Sequence, residues 1–85
     1  MENNQARLNI TYAGGNGDLV DPVFYDAADG DIKTWAAEAV SNGSVPGIGT
    51  NADPDFTDFI VDRYPATEDI DHNRIMLRPK TEFGG

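Results

Sequence analysis

Apolar and polar positions repeat with a period of two near both ends of the chain and with a helical period between them. In residues 7–13, Leu8, Ile10 and Tyr12 fall on one side, which predicts a half-buried strand. Residues 14–18, Gly-Gly-Asn-Gly-Asp, read as a turn built from residues that tolerate positive φ. Residues 19–25 follow as a second strand, and Pro22 within them implies an edge, a bulge or an interruption. Ile32, Trp35, Ala36, Ala39 and Val40 then stand at i, i+3, i+4, i+7 and i+8, one face of an amphipathic helix. Asp29 or Asp31 is the expected cap, Asn42-Gly43 the expected stop, and Trp35 the expected core anchor. Residues 44–55 are rich in Gly, Pro, Asn and Asp and predict a loop.

A third strand is predicted over residues 56–63, with Phe59 and Val61 alternating against Asp58, Ile60 and Asp62. Residues 64–71 are a connection with room for a short strand or a turn of helix, and His72-Asn73 reads as a tight turn. The last strand is predicted over residues 74–80. Ile75 and Leu77 face one way on it, and Arg74, Met76, Arg78 and Lys80 face the other. The chain thus divides into a polar lead at 1–6, one domain at 7–80 and a tail at 81–85. Hairpin, helix and further strands pack most simply as an α+β domain, with the helix across a mixed sheet of four or five strands. A right-handed crossover sets the first and last strands side by side and parallel at its centre.

Composition narrows the chemistry. The 85 residues include no cysteine, so disulfides, thiolate metal sites and thiol catalysis are out. No apolar run approaches the roughly 18 residues of a membrane span, and Met1 to Gln5 carries no signal-peptide pattern, so a cytoplasmic location is expected and no membrane partner. The net charge of −9 is uneven: residues 1–73 hold three Lys/Arg against fourteen Asp/Glu, and residues 74–85 hold three against one. The acidic body argues against nucleic acid and favours partners with a basic surface.

No enzyme site emerges. His72 is the only histidine. Gly14 to Gly17 joins two strands and does not open a helix, as a phosphate loop would. Asn51, Asp53, Asp55 and Asp62 match the spacing of a calcium loop, but Phe56 stands where that loop needs glycine and the twelfth position is Asp, not Glu. No metal, no cofactor and no catalytic residue is expected.

The tail carries the remaining chemistry. After the basic face of the last strand the chain closes on Glu82-Phe83-Gly84-Gly85. Glycine has no Cβ, so such a tail can thread an enzyme tunnel too narrow for other residues. With the predicted strand order and length, this tail makes the chain resemble the ubiquitin-like proteins. Within them it is similar to the small bacterial ones encoded in operons beside an activating enzyme, a conjugating enzyme and a deconjugating metalloprotease. The resemblance covers residues 7–85 as architecture, with the tail as its motif.

The resemblance implies a β-grasp fold and a protein modifier. Its partner would use ATP-Mg²⁺ to adenylate Gly85, and the glycine would pass through a thioester to an amine of a target protein, ending in an isopeptide bond. Phe83 and Gly84 would occupy the tunnel. Arg74, Met76, Arg78 and Lys80 would bind the partner, with Arg78 and Lys80 on an acidic rim. Ile60 and Met76 are the apolar contact candidates, unless the loop buries them. Lys33 and Lys80 are the two lysines available as acceptors on the chain itself. Two departures stand out: the 44–55 loop is longer than in ubiquitin, and Phe83 replaces the arginine before its glycines, which points to a dedicated partner. Sulfur carrier proteins share fold, size and Gly-Gly end, with a thiocarboxylate in place of a thioester. A binding module in which the tail has no role is the third reading.

Overall fold

In the computed structural model, which describes residues 3–80, β1 (Gln5–Tyr12) and β2 (Gly15–Asp18) form a hairpin joined by Ala13 and Gly14 alone. Both turn residues have positive φ, 52° and 83°, as the two-residue turns that match strand twist require. The predicted turn at 14–18 is therefore too long, because Gly15–Asp18 pairs with β1 from Tyr12 back to Asn9. The other two glycines answer a different need. A Cβ on Gly15 would lie 2.5 Å from the carbonyl oxygen of Gly47, and one on Gly17 would run into the carbonyl of Pro46. Glycine here lets the loop backbone lie directly on the strand.

The strand predicted over 19–25 is interrupted, one of the three outcomes Pro22 implied, and residues 19–22 are not strand. β2 ends at Asp18, and only Val23–Phe24 (β3) rejoins the sheet, pairing with Ala6 and Gln5. Across the gap, Leu19 N still donates to Leu8 O at 2.8 Å, and beyond it Tyr25 N donates to Asn4 O at 2.8 Å. β1 itself starts at Gln5 and Ala6 is fully buried, so the polar lead is shorter than the predicted 1–6.

Helix α1 (Asp29–Ser41) buries Ile32, Ala36, Ala39 and Val40, as its period predicts. Its N-cap is Ala28, with no side-chain cap bond, and Asp29 and Asp31 lie inside the first turn. They act there as charges against the helix dipole, correcting the expectation that one of them caps. Gly43, at φ 69°, closes the helix and donates to Val40 O at 3.1 Å. Trp35 is half-buried at the core margin and does not anchor the core; Phe56, only 3 % exposed, is the deeply buried aromatic.

Phe56 comes from an irregular segment, not from the predicted strand at 56–63. Val45, Ile48 and Phe56 fold inward from this long connection, and Phe56 meets Phe59 edge-on at 4.8 Å and Tyr12 at 5.1 Å. β4 begins only at Ile60 and runs to Tyr64. Residues 65–72 contain neither strand nor helix, and Thr67 N donates to Ile70 O at 2.7 Å. β5 is Asn73–Arg78, so Asn73 belongs to the strand and not to a turn, and Pro79 and Lys80 lie beyond it. The Asn73 side chain fastens the start of β1 by donating to Asn3 O at 2.8 Å and Gln5 O at 3.0 Å.

The product is a small α+β domain with one helix and a mixed five-stranded sheet of order β2-β1-β5-β4, with β3 also on β1. The central β1–β5 pair is parallel, as expected, and Leu8, Ile10, Ile75 and Leu77 from it are fully buried beneath the helix. Arg63 ties the helix entry to β4. Its guanidinium bonds Tyr25 O at 3.2 Å, Ala27 O, and Asp29 Oδ1 at 2.7 Å. Among the described residues, no helix is long and apolar enough to cross a membrane.

Candidate functional site

Among the described residues, one face of the sheet carries the helix and the other carries none. Pairing register decides which side chains share the open face. Leu8 and Ile10 point to the core, so Arg7, Asn9 and Thr11 of β1 point away from it, beside Arg74 and Met76 of β5. Ile60, Asp62 and Tyr64 of β4 stand opposite Arg78, Met76 and Arg74. The predicted partner-binding residues Arg74, Met76 and Arg78 are thus brought onto one face, and all three are half-buried. Lys80 lies beyond the strand and is exposed.

The open face has two halves. On the β1–β2 side the polar groups satisfy one another. Asn9 Nδ2 donates to Asn16 Oδ1 at 3.1 Å and Asp18 Oδ1 at 2.8 Å, and Asn16 Nδ2 returns bonds to Asn9 Oδ1 at 2.9 Å and Thr11 Oγ1 at 2.8 Å. That ladder leaves little for a ligand to gain.

The β5–β4 half is different. The Arg74 guanidinium lies over the Tyr64 ring, 5.3 Å from its centroid, and among the described residues its buried Nε meets no hydrogen-bond acceptor. Arg7 is its register partner on β1. Among the described residues, neither arginine meets a carboxylate at ion-pair distance. Arg78 is already engaged, its Nε donating to Asp62 Oδ2 at 2.7 Å. Between these cations sit Met76 and Ile60, both half-buried. This half therefore offers two unneutralised guanidinium groups, an exposed tyrosine edge and an apolar centre, which suits a partner surface with a carboxylate beside apolar contacts.

The other expected site residues separate. Lys33 Nζ donates to Thr57 O at 3.0 Å, so of the two possible acceptors it is tied, whereas Lys80 makes no such bond among the described residues. Phe83, Gly84 and Gly85 lie outside the described residues. The calcium-like spacing does not assemble. Asn51 Oδ1 takes the Asp53 N–H at 3.0 Å, Asp55 Oδ1 takes the Thr57 N–H at 2.9 Å, and Asp62 sits on β4 with Arg78. Bonds from Thr57 hold the Asp55 carboxyl below the ordinary carboxylate range. His72 Nδ1 lies 3.2 Å from Asp71 Oδ1, and hydrogen bonding to the ring lowers the Asp71 pKa. Among the described residues no group of three or more His, Cys, Asp or Glu is placed to hold a metal ion.

Sequence reasoning missed Arg7 and Tyr64. Strict alternation over residues 7–13 was enough to put Arg7 opposite Leu8, but only strand register puts it beside Arg74. Tyr64 falls in the predicted connection at 64–71 but closes β4. No protein-family model, no curated protein and no solved structure matches the chain.

Proposed function

We propose that this protein is a ubiquitin-like modifier of β-grasp fold, acting in the cytoplasm, whose reactive group is the carboxylate of Gly85. The observation that carries the reading is the course of β5. The central strand of the sheet, parallel to β1, presents Arg74, Met76 and Arg78 on the open face and is followed in the sequence by Gly84-Gly85. Among the described residues the one helix packs on the opposite face, where its buried side chains join those of β1 and β5.

In this reading the chain supplies a handle and the partner supplies the catalysis. A Gly85 carboxylate oxygen attacks the α-phosphorus of ATP, and pyrophosphate leaves. A partner thiolate then attacks the acyl carbon and AMP leaves. A target amine attacks the thioester, losing a proton, and the thiol leaves with an amide formed. Arg7, Arg74 and Tyr64 orient the domain on an acidic and apolar partner surface. Association gains from direct pairing with the two arginines, since neither meets a carboxylate among the described residues.

Intact mass after incubation with ATP-Mg²⁺ and the candidate activating enzyme, beside a chain lacking Gly85, tests the proposal. A covalent enzyme adduct lost on thiol treatment and absent from the shortened chain is the expected result. Replacement of one carboxylate oxygen by sulfur would instead make the protein a sulfur carrier. No change with any adenylating partner would overturn both readings and leave a binding module.

A further inference from the structure

We propose a second docking surface, at the sheet margin between the broken edge strand and helix α1, which takes a basic peptide segment carrying a large apolar side chain. It stands on its own geometry and does not depend on the modifier reading.

Where residues 19–22 leave the sheet, a cavity of about 240 Å³ opens, lined by Gln5, Leu19, Pro22, Val23, Phe24 and Trp35. A second cavity of about 240 Å³ adjoins it, with Val20, Asp21 and Glu38 in its lining. Leu19 and Trp35 line both, so they form one apolar floor. Two large apolar side chains stand out along this groove, Val20 at 71 % exposure and Phe24 at 55 %. Burial by this domain explains neither. Exposed apolar groups clustered around a concave floor mark a binding surface more than isolated ones do.

Charge selects the occupant. Asp21 and Glu38 are exposed at the groove, Asp26 follows two residues after Phe24, and among the described residues no Lys, Arg or His lines either cavity. The groove lies on the acidic body of a chain with net charge −9. Groove-to-groove pairing of two copies would set one acidic rim against another, so isologous self-association through this groove is disfavoured. A segment with Lys or Arg on both sides of an apolar anchor satisfies floor and rim together. The cavity volume admits such a side chain.

Trp35 is the only tryptophan of the chain and lies on the floor, so its emission reads the groove directly. The test is a titration of the full chain with a short acetylated peptide bearing a Leu-Val-Ile core between paired lysines. The same core between paired glutamates is the control. A saturable Trp35 change with the lysine peptide only, weakened by added salt, is expected. Phe24→Ala and Val20→Ser are each expected to lower affinity, Phe24→Ala by about tenfold. Both positions are exposed, and amide spectra of the free variants verify the fold. Equal response to the two peptides, no saturable response, undiminished binding by folded Phe24→Ala, or amide shifts on the open sheet face in place of the groove would each overturn the proposal.

Discussion

Arg78 Nε donates to Asp62 Oδ2 at 2.7 Å across the β4–β5 pair, and the contact is diagonal. Asp62 stands opposite Met76, and Arg78 stands opposite Ile60. The side chains remain 43 % and 30 % exposed, so solvent and salt screen them. A double-mutant cycle with Arg78→Ala and Asp62→Ala is expected to give a coupling of about 0.5 kcal/mol that shrinks as ionic strength rises. A coupling above about 2 kcal/mol would mean that the pair is a structural clamp.

This pairing ranks the cations of the open face. Arg74 has no carboxylate partner among the described residues, whereas Arg78 must give up Asp62 to contact anything else. Under the modifier reading, Arg74→Ala is expected to reduce kcat/KM for thioester formation about tenfold and Arg78→Ala about twofold. Single-turnover assays with the activating enzyme measure both. Equal losses would show that the two arginines are used alike.

Arg63 is the cation with a structural task. It reaches two main-chain carbonyls, Tyr25 O and Ala27 O, and the Asp29 carboxylate, joining β4 to the segment that enters the helix. Arg63→Ala leaves those acceptors without their donor and is expected to cost about 2 kcal/mol in urea unfolding. Arg63→Lys is expected to recover little, because an ammonium lacks the planar fork that spans all three acceptors.

The glycines separate into two kinds, and substitution distinguishes them. A Cβ on Gly17 meets the Pro46 carbonyl and comes within 3.1 Å of Val45 Cγ1. Gly17→Ala must push the loop off β2, and is expected to cost about 2 kcal/mol or more. Gly30, in the first turn of α1, has nothing within 4 Å of a new Cβ and no positive φ. Gly30→Ala is expected to gain about 0.5 kcal/mol from reduced freedom of the unfolded chain. Thermal unfolding of the pair reads the contrast.

Those glycines also mark where the amino-acid order ceased to be legible. The helix could be read from Ile32, Ala36, Ala39 and Val40, because one local period encodes both the helix and its buried face. The parallel β1–β5 pair followed from chain handedness, which needs only element order. Gly15 and Gly17 looked like turn residues because composition does not separate a bend from a close backbone approach, and that approach comes from Pro46 and Gly47, about thirty residues away. Phe56 looked like the start of a strand because its burial comes from a loop folding onto Tyr12 and Phe59, with no local period to announce it. The same limit applies to the open face. Arg74, Met76 and Arg78 were legible from alternation along one strand, while Arg7, Tyr64 and the prior claim of Asp62 on Arg78 depend on register between strands.

Loop geometry around Asp55 sets a pH-dependent contribution with a definite sign. The Thr57 side chain is the main cause that lowers the Asp55 pKa below its ordinary 3.8, and the Thr57 N–H, bonded to Asp55 Oδ1 at 2.9 Å, is the second. Both bonds favour the ionised carboxylate. A carboxyl with a depressed folded-state pKa stabilises the fold above its unfolded value, and the stabilisation is lost as pH falls through the folded value. Thr57→Val removes the larger cause and keeps the N–H, so Asp55 is expected to titrate higher in the variant, closer to 3.8. The pH-dependent part of the stability difference between the two proteins is expected to be constant above about pH 5 and to close as pH falls through the wild-type Asp55 pKa. Carboxyl ¹³C shifts followed through an acid titration report the pKa directly, and unfolding at several pH values reports the linked stability. An unchanged Asp55 midpoint in Thr57→Val would assign the depression to the backbone bond, and with it to the turn that delivers Phe56 into the core.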